Sequence, residues 1–122
     1  MHALNTISVD KLVRLIGTPK CPVLIDVRPE DDFEADPHLI PSATRCASNT
    51  LGDRPEVYDG QSAVVICQKG SNLSQGAAAL LRHQGVPAEA LEGGFEAWRQ
   101  ARLPLVPFAK LPPWILGGEL CG

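Results

Sequence analysis

Cys67 stands between an apolar run and a helical pattern, joined by a short polar stretch. Ala63-Val64-Val65-Ile66 carries no polar side chain, so it suits a short strand buried on both faces. Ala77, Leu80, Leu81 and Gln84 recur at helical spacing and Gly85 supplies a stop, which predicts a helix over 74–84. Gln68, Lys69, Gly70, Ser71, Asn72, Leu73 and Ser74 fall between the two. The backbone amides of such a loop can curl around a sulfur, and a helix start adds partial positive charge. That surrounding favours the charged form of a thiol and can hold an anion. Cys67 is therefore the candidate nucleophile, and 68–74 is the candidate anion-binding loop.

Other chemically capable residues are weighed against blander roles. The run Val23–Val27 is apolar but for Asp26 near its end, and a carboxylate there must be hydrogen-bonded, either by amides near Cys67 or by Arg28. His38 could serve as a general base, but it sits between Pro37 and Pro41 in a turn-rich loop and is read as structural. Cys46 could pair with Cys67, yet its place after Arg45 on a strand end reads as buried packing. Cys21, between Lys20 and Pro22, is an incidental thiol. Glu30-Asp31-Asp32 lacks the spacing of a calcium loop and suits the positive end of a short helix. Ser8-Val9-Asp10-Lys11 matches an S-x-x-K acyl-enzyme text without its companion motifs. No CxxC or His/Cys ligand spacing occurs, so no metal is expected.

These residues need elements to position them. Ser8 is the expected N-cap of a helix carrying Val9, Leu12, Val13 and Ile16 as far as Gly17. A strand over 23–27, a helix over 29–35 and a brief strand over 43–46 follow. Residues 49–60 read as a surface connection with one helical turn. After the 74–84 helix, 86–91 reads as an edge strand because of Pro87 and Glu89. Gly93-Gly94 allows a tight turn near the Cys67 loop, and Phe95, Trp98 and Leu103 then pack a last helix over 95–101. This alternation predicts one α/β domain, a mostly parallel five-stranded sheet with helices on both faces. Ligands of such sheets bind at the carboxyl ends of strands, where Cys67 falls. The stretch 106–122, with Trp114, Gly117-Gly118 and Cys121, is a Pro/Gly-rich tail that either docks on the domain or leads to a partner domain.

Composition narrows the function classes. The 122 residues are 44% hydrophobic and 20% charged with net charge −3, which offers no basic excess for nucleic acid or an anionic membrane. No apolar run is long enough to span a bilayer, and Met1-His2-Ala3 lacks a secretory leader pattern. The four cysteines do not suggest a disulfide framework at this size, so a reducing, cytoplasmic setting is expected.

Several stretches together resemble a known family. Leu24-Ile25-Asp26-Val27-Arg28, Asp32-Phe33, Ile40-Pro41-Ser42-Ala43 and Gly93-Gly94-Phe95-Glu96-Ala97-Trp98 are similar, in this order and with Cys67 in place, to the signature pieces of the rhodanese (sulfurtransferase) family. The resemblance covers roughly residues 5–105, so 1–105 is the expected domain. It implies that Cys67 takes a sulfane sulfur from a small anionic donor such as thiosulfate and passes it, through a persulfide, to cyanide or a thiol. No cofactor is implied. Lys69 would recruit the anion, and Asp26 and Arg28 would support the loop without joining the chemistry.

The loop also departs from the family form C-x-x-G-x-R-S. Asn72 stands where arginine is common, Ser74 carries the hydroxyl, and the loop counts one residue longer. Longer loops in related phosphatases and arsenate reductases need an arginine six residues after the cysteine, where this chain has Leu73. C-Q-K-G-x-x-L-S-x-G is also similar to rhodanese modules attached to chromate-resistance proteins. The competing expectation is therefore a non-catalytic interaction module in oxyanion stress, against which the retained Cys67 argues.

Overall fold

Side chains alternate along the central strand, sending Val64 and Ile66 to one face of the sheet and Ala63, Val65 and Cys67 to the other. The rest of the architecture covers those two faces. A computed structural model describes residues 5–107. In chain order it contains β1 (Thr6–Ile7), α1 (Val9–Leu15), β2 (Val23–Asp26), α2 (Glu30–Ala35), β3 (His38–Leu39) and β4 (Thr44–Arg45). A 3-10 turn (Pro55–Tyr58), β5 (Ala63–Ile66), α3 (Asn72–His83), β6 (Ala88–Leu91), α4 (Gly94–Gln100) and β7 (Val106–Pro107) follow.

Five strands form one sheet in the order β1-β6-β5-β2-β4, and every pairing in it is parallel. One face is covered by Ala77, Ala78 and Leu81 of α3; the other by Leu12 of α1, Phe33 of α2, and Phe95 and Trp98 of α4. With helices on both faces, the strands are free to be apolar throughout, as β5 is. β3 and β7 make a separate antiparallel pair, His38 with Pro107 and Leu39 with Val106. This is the expected α/β architecture.

Local signals hold in several places. Ser8 caps α1, its hydroxyl oxygen accepting from the Lys11 amide at 3.2 Å. Glu30, Asp31 and Asp32 occupy the first turn of α2, which Pro29 precedes. Gly85 follows α3 at φ +89, where a side chain would be strained.

Other expectations change. The 86–91 segment is not an edge strand: β6 lies between β1 and β5. Pro87 precedes the ladder, so its missing N–H interrupts nothing, and its carbonyl accepts from Ala63 N at 2.8 Å. Thr6–Ile7 supplies the edge instead. α3 begins at Asn72 and not at residue 74, so Asn72, Leu73 and Ser74 are its first turn. Its buried face runs through Ser74, Ala77, Ala78 and Leu81, while Leu80 is 40% exposed. The 49–60 connection has its helical turn but is more than surface, since Leu51 and Tyr58 are buried in the α3-side core. Residues 108–122 of the expected tail, with Trp114 and Cys121, lie outside the described residues. Among the described residues no helix is long and apolar enough to cross a membrane.

Candidate active site

Cys67 is the first residue past β5, at the carboxyl end of the sheet, and its side chain is buried on the α3 side. The sulfur lies 3.1 Å from Ser74 Oγ in a bond the thiol donates, and Ser74 in turn donates to the Ser71 carbonyl at 3.3 Å. Ser74 is fully buried in the first turn of α3. A hydroxyl, rather than the expected ring of amides, is therefore the sulfur's hydrogen-bond partner among the described residues.

The loop is held from behind by the first turn of α4 and the Gly93–Gly94 turn that leads into it. Phe95 N donates to Cys67 O at 2.8 Å, and Glu96 N donates to Gln68 O at 2.9 Å. These bonds satisfy amides that a helix start leaves open. In a trans peptide the N–H points opposite to the C=O, so the Gln68 and Lys69 N–H groups point away from α4. Gly70, at φ +71, packs backbone to backbone on this turn; a Cβ there would lie 2.6 Å from Gly93 N. A Cβ on Gly94, at φ +63, would lie 2.4 Å from Cys67 O. Glycine is required at both positions by space and by φ. Gln75 Nε2 also donates to Gly70 O at 3.2 Å.

A cleft of about 260 Å³ opens over the sulfur, lined by Pro29, Asp32, Cys67, Gln68, Lys69, Ser71 and Leu73. Of the residues expected in the loop, Gln68, Lys69, Ser71 and Leu73 thus line the cleft. Gly70 packs against the Gly93–Gly94 turn, Asn72 is exposed at the start of α3 and outside the lining, and Ser74 sits beneath the sulfur. Asp32 joins the cleft from α2, a place the sequence reading of its helix start did not give it. Among the described residues Gln68 Oε1 is buried without a hydrogen-bond partner.

Asp26 and Arg28 form a buried pair behind the site, Nε to Oδ2 at 3.0 Å, with the Arg28 amide donating to Oδ1 at 2.9 Å. Of the two expected sets of donors, Arg28 is the one present. Arg45, which the sequence did not single out, adds contacts of 3.3 Å to Asp26 Oδ1 and 2.7 Å to the Arg28 carbonyl. Burial pushes the Asp26 carboxyl up, opposed chiefly by the charge of Arg28. Burial also pulls Arg28 down, opposed by Asp26. The Arg28 guanidinium lies 3.7 Å from the Phe95 ring centroid and donates to the carbonyls of Asp36 and His38. Its support reaches Cys67 indirectly, because Phe95 is the residue whose amide holds the Cys67 carbonyl.

The remaining candidates are placed elsewhere. His38 pairs with Asp36 at 2.7 Å, away from the cleft lining. Cys46 is buried but disulfide-bonded, where a packed free thiol was expected; Cys67 and Cys21 are free, so Cys46 is not bonded to Cys67. Among the described residues no group of three His, Cys, Asp or Glu side chains could hold a metal ion.

Comparison with known proteins places this geometry. A family profile for the rhodanese-like domain matches residues 8–101. The thiosulfate sulfurtransferase GlpE of Pseudomonas syringae is 38% identical over 79 residues, which cover 63% of this chain and 72% of that protein. The crystal structure of a thiosulfate sulfurtransferase from Pseudomonas aeruginosa superposes with TM-score 0.73 at 25% identity, covering 88% of this chain and 20% of that longer one. A protein of unknown function from Rhodopseudomonas palustris, described as a possible tyrosine phosphatase, superposes with TM-score 0.68 at 25% identity, covering 83% of each chain.

Proposed function

The chain belongs to the rhodanese-like family, and from that premise we propose that it is a sulfurtransferase working through a persulfide on Cys67. The observation that carries the reading is a free cysteine at the carboxyl end of the central strand, hydrogen-bonded to a buried serine under an open cleft. In the first half-reaction the Cys67 thiolate attacks the sulfane sulfur of a donor such as thiosulfate. A Sγ–S bond forms, the donor's S–S bond breaks, and sulfite leaves with the electron pair. Once the thiol has lost its proton, Ser74 can turn its own from Ser71 O to the sulfur and so stabilise the anion. The Gln68 and Lys69 amides, facing away from α4, are the candidate donors to the outer sulfur, and the Lys69 ammonium meets the sulfonate. Cyanide or a thiol then takes the outer sulfur and Cys67 leaves as thiolate. Asp26 and Arg28 act as supports, and these steps need no cofactor.

We assign this activity to residues 1–105 and leave to 106–122 the contact with a protein partner or fused domain; the disulfide at Cys46 removes the ground on which a reducing, cytoplasmic setting was expected. A phosphatase or arsenate reductase would need a guanidinium to hold a tetrahedral anion, and Asn72 and Leu73 occupy the places where one would sit. A non-catalytic module, including one of the chromate-associated kind, would have no use for the free Cys67. Intact mass after thiosulfate treatment is the test. The wild-type protein should gain one sulfur and Cys67→Ser none, while Cys21→Ser should match wild type. Sulfur retained by Cys67→Ser would overturn the assignment.

A further inference from the structure

Two charges of opposite sign border the cleft over Cys67, Asp32 on the α2 side and Lys69 on the loop side. Among the described residues neither has an ion-pair partner, whereas three nearby carboxylates are committed elsewhere. Glu30 pairs with Arg45 at 3.4 Å, Asp26 with Arg28 at 3.0 Å, and Asp36 with Arg99 at 3.1 Å. Asp32 is half-buried, so its charge is screened less than a fully exposed one. A small inorganic anion would satisfy Lys69 but be repelled by Asp32. A ligand carrying both an ammonium and a carboxylate satisfies both.

We propose that the sulfur acceptor is a zwitterionic aminothiol of the cysteine class, its ammonium on Asp32 and its carboxylate on Lys69, and that Asp32 determines this specificity. The proposal rests on the sulfurtransferase reading and names the acceptor of that same site. In the transfer step the acceptor sulfur forms a bond to the outer sulfur of the Cys67 persulfide. The Sγ–S bond breaks with its electron pair left on Cys67 as thiolate. The acceptor's thiol proton passes to the outer sulfur, so the charge on the two sides is equal and the product is the aminothiol's hydropersulfide. Asp32 enters neither bond; it selects by charge.

The test starts from protein loaded with thiosulfate, desalted, and shown by intact mass to carry one extra sulfur. Release of that sulfur is then timed with cysteine, cysteamine, 3-mercaptopropionate and 2-mercaptoethanol, which carry both charges, the ammonium alone, the carboxylate alone, and neither. Taking each rate relative to wild type with the same thiol removes differences in intrinsic reactivity. Asp32→Asn should slow cysteine and cysteamine about three- to fivefold against 2-mercaptoethanol and not slow 3-mercaptopropionate. Lys69→Ala should slow cysteine and 3-mercaptopropionate by a similar factor and spare cysteamine. Asp32→Asn should also lower the KM for thiosulfate, an opposite sign that a merely structural role would not produce. Equal effects of either variant on all four thiols, or an unchanged cysteamine rate in Asp32→Asn, would overturn the acceptor assignment while leaving the sulfurtransferase reading intact. Wild-type protein that never loads sulfur would sink both.

Discussion

The hydroxyl of Ser74 sits 3.1 Å from the Cys67 sulfur while donating to the Ser71 carbonyl at 3.3 Å. The thiol, the hydroxyl and the carbonyl form one relay, and loss of the thiol proton lets the hydroxyl reverse toward the sulfur. Removing that hydroxyl leaves the anion with one donor fewer in a buried place.

Ser74→Ala should therefore slow persulfide formation roughly tenfold, since a hydrogen bond to a charged group is worth about 1.5–3 kcal/mol. Alanine suits a helix and creates almost no cavity, so the thermal midpoint should stay near wild type. Stopped mass sampling after thiosulfate addition gives the rate. An unchanged rate would mean that Ser74 only packs.

Gly94→Ala should cost both stability and activity. Its Cβ would meet Cys67 O at 2.4 Å and Gly70 N at 2.5 Å, in addition to the strain of φ +63. Gly17→Ala, at φ +85 with nothing within 4 Å, carries the backbone strain alone, about 1 kcal/mol. Urea midpoints of the two variants isolate the clash, and sulfur transfer should fall only in Gly94→Ala. Equal losses in both would show that the loop has room to move.

Arg28→Ala should destabilise by about 3–5 kcal/mol, because it leaves the Asp26 carboxylate buried beside a weakened partner set. The sign of its pH dependence follows from Asp26. Burial raises that carboxyl in the folded state, so its ionisation costs stability, and the cost is present above the raised value and absent below the ordinary one. Without Arg28 the carboxyl rises further. The penalty of Arg28→Ala, relative to wild type, should thus shrink as pH falls from neutral toward the Asp26 range. Urea unfolding at several pH values checks this; a penalty that grows toward acid would contradict the buried-carboxylate account.

Lys69→Ala should raise the thiosulfate KM about two- to fivefold with little change in kcat, because the lysine is exposed and meets the sulfonate rather than the reacting sulfur. Aryl phosphates should not turn over measurably. Steady-state assays with thiosulfate and cyanide, and with an aryl phosphate alone, make the comparison. Cys67-dependent phosphate hydrolysis faster than sulfur transfer would reverse the reading.

The amino-acid sequence by itself determined the parts that depend on neighbours along the chain. The apolar run 63–66 had to be a strand buried on both faces, and Cys67 had to follow it at the carboxyl end. Ser8 as a cap, Gly85 as a stop and the close approach of Gly93-Gly94 to the loop were legible in the same way. Tertiary structure alone decided the rest. Thr6–Ile7, too short for any periodicity, took the sheet edge and moved β6 inside. Arg45 reached Asp26 from a different strand because β2 and β4 pair in parallel, aligning Asp26 with Arg45. Ser74 came under the sulfur because α3 starts at Asn72, and Asp32 reached the cleft because α2 lies beside the loop. Periodicity and capping act over one or two turns of chain, whereas strand order, cross-strand pairs and cleft walls are set by packing between segments distant in sequence.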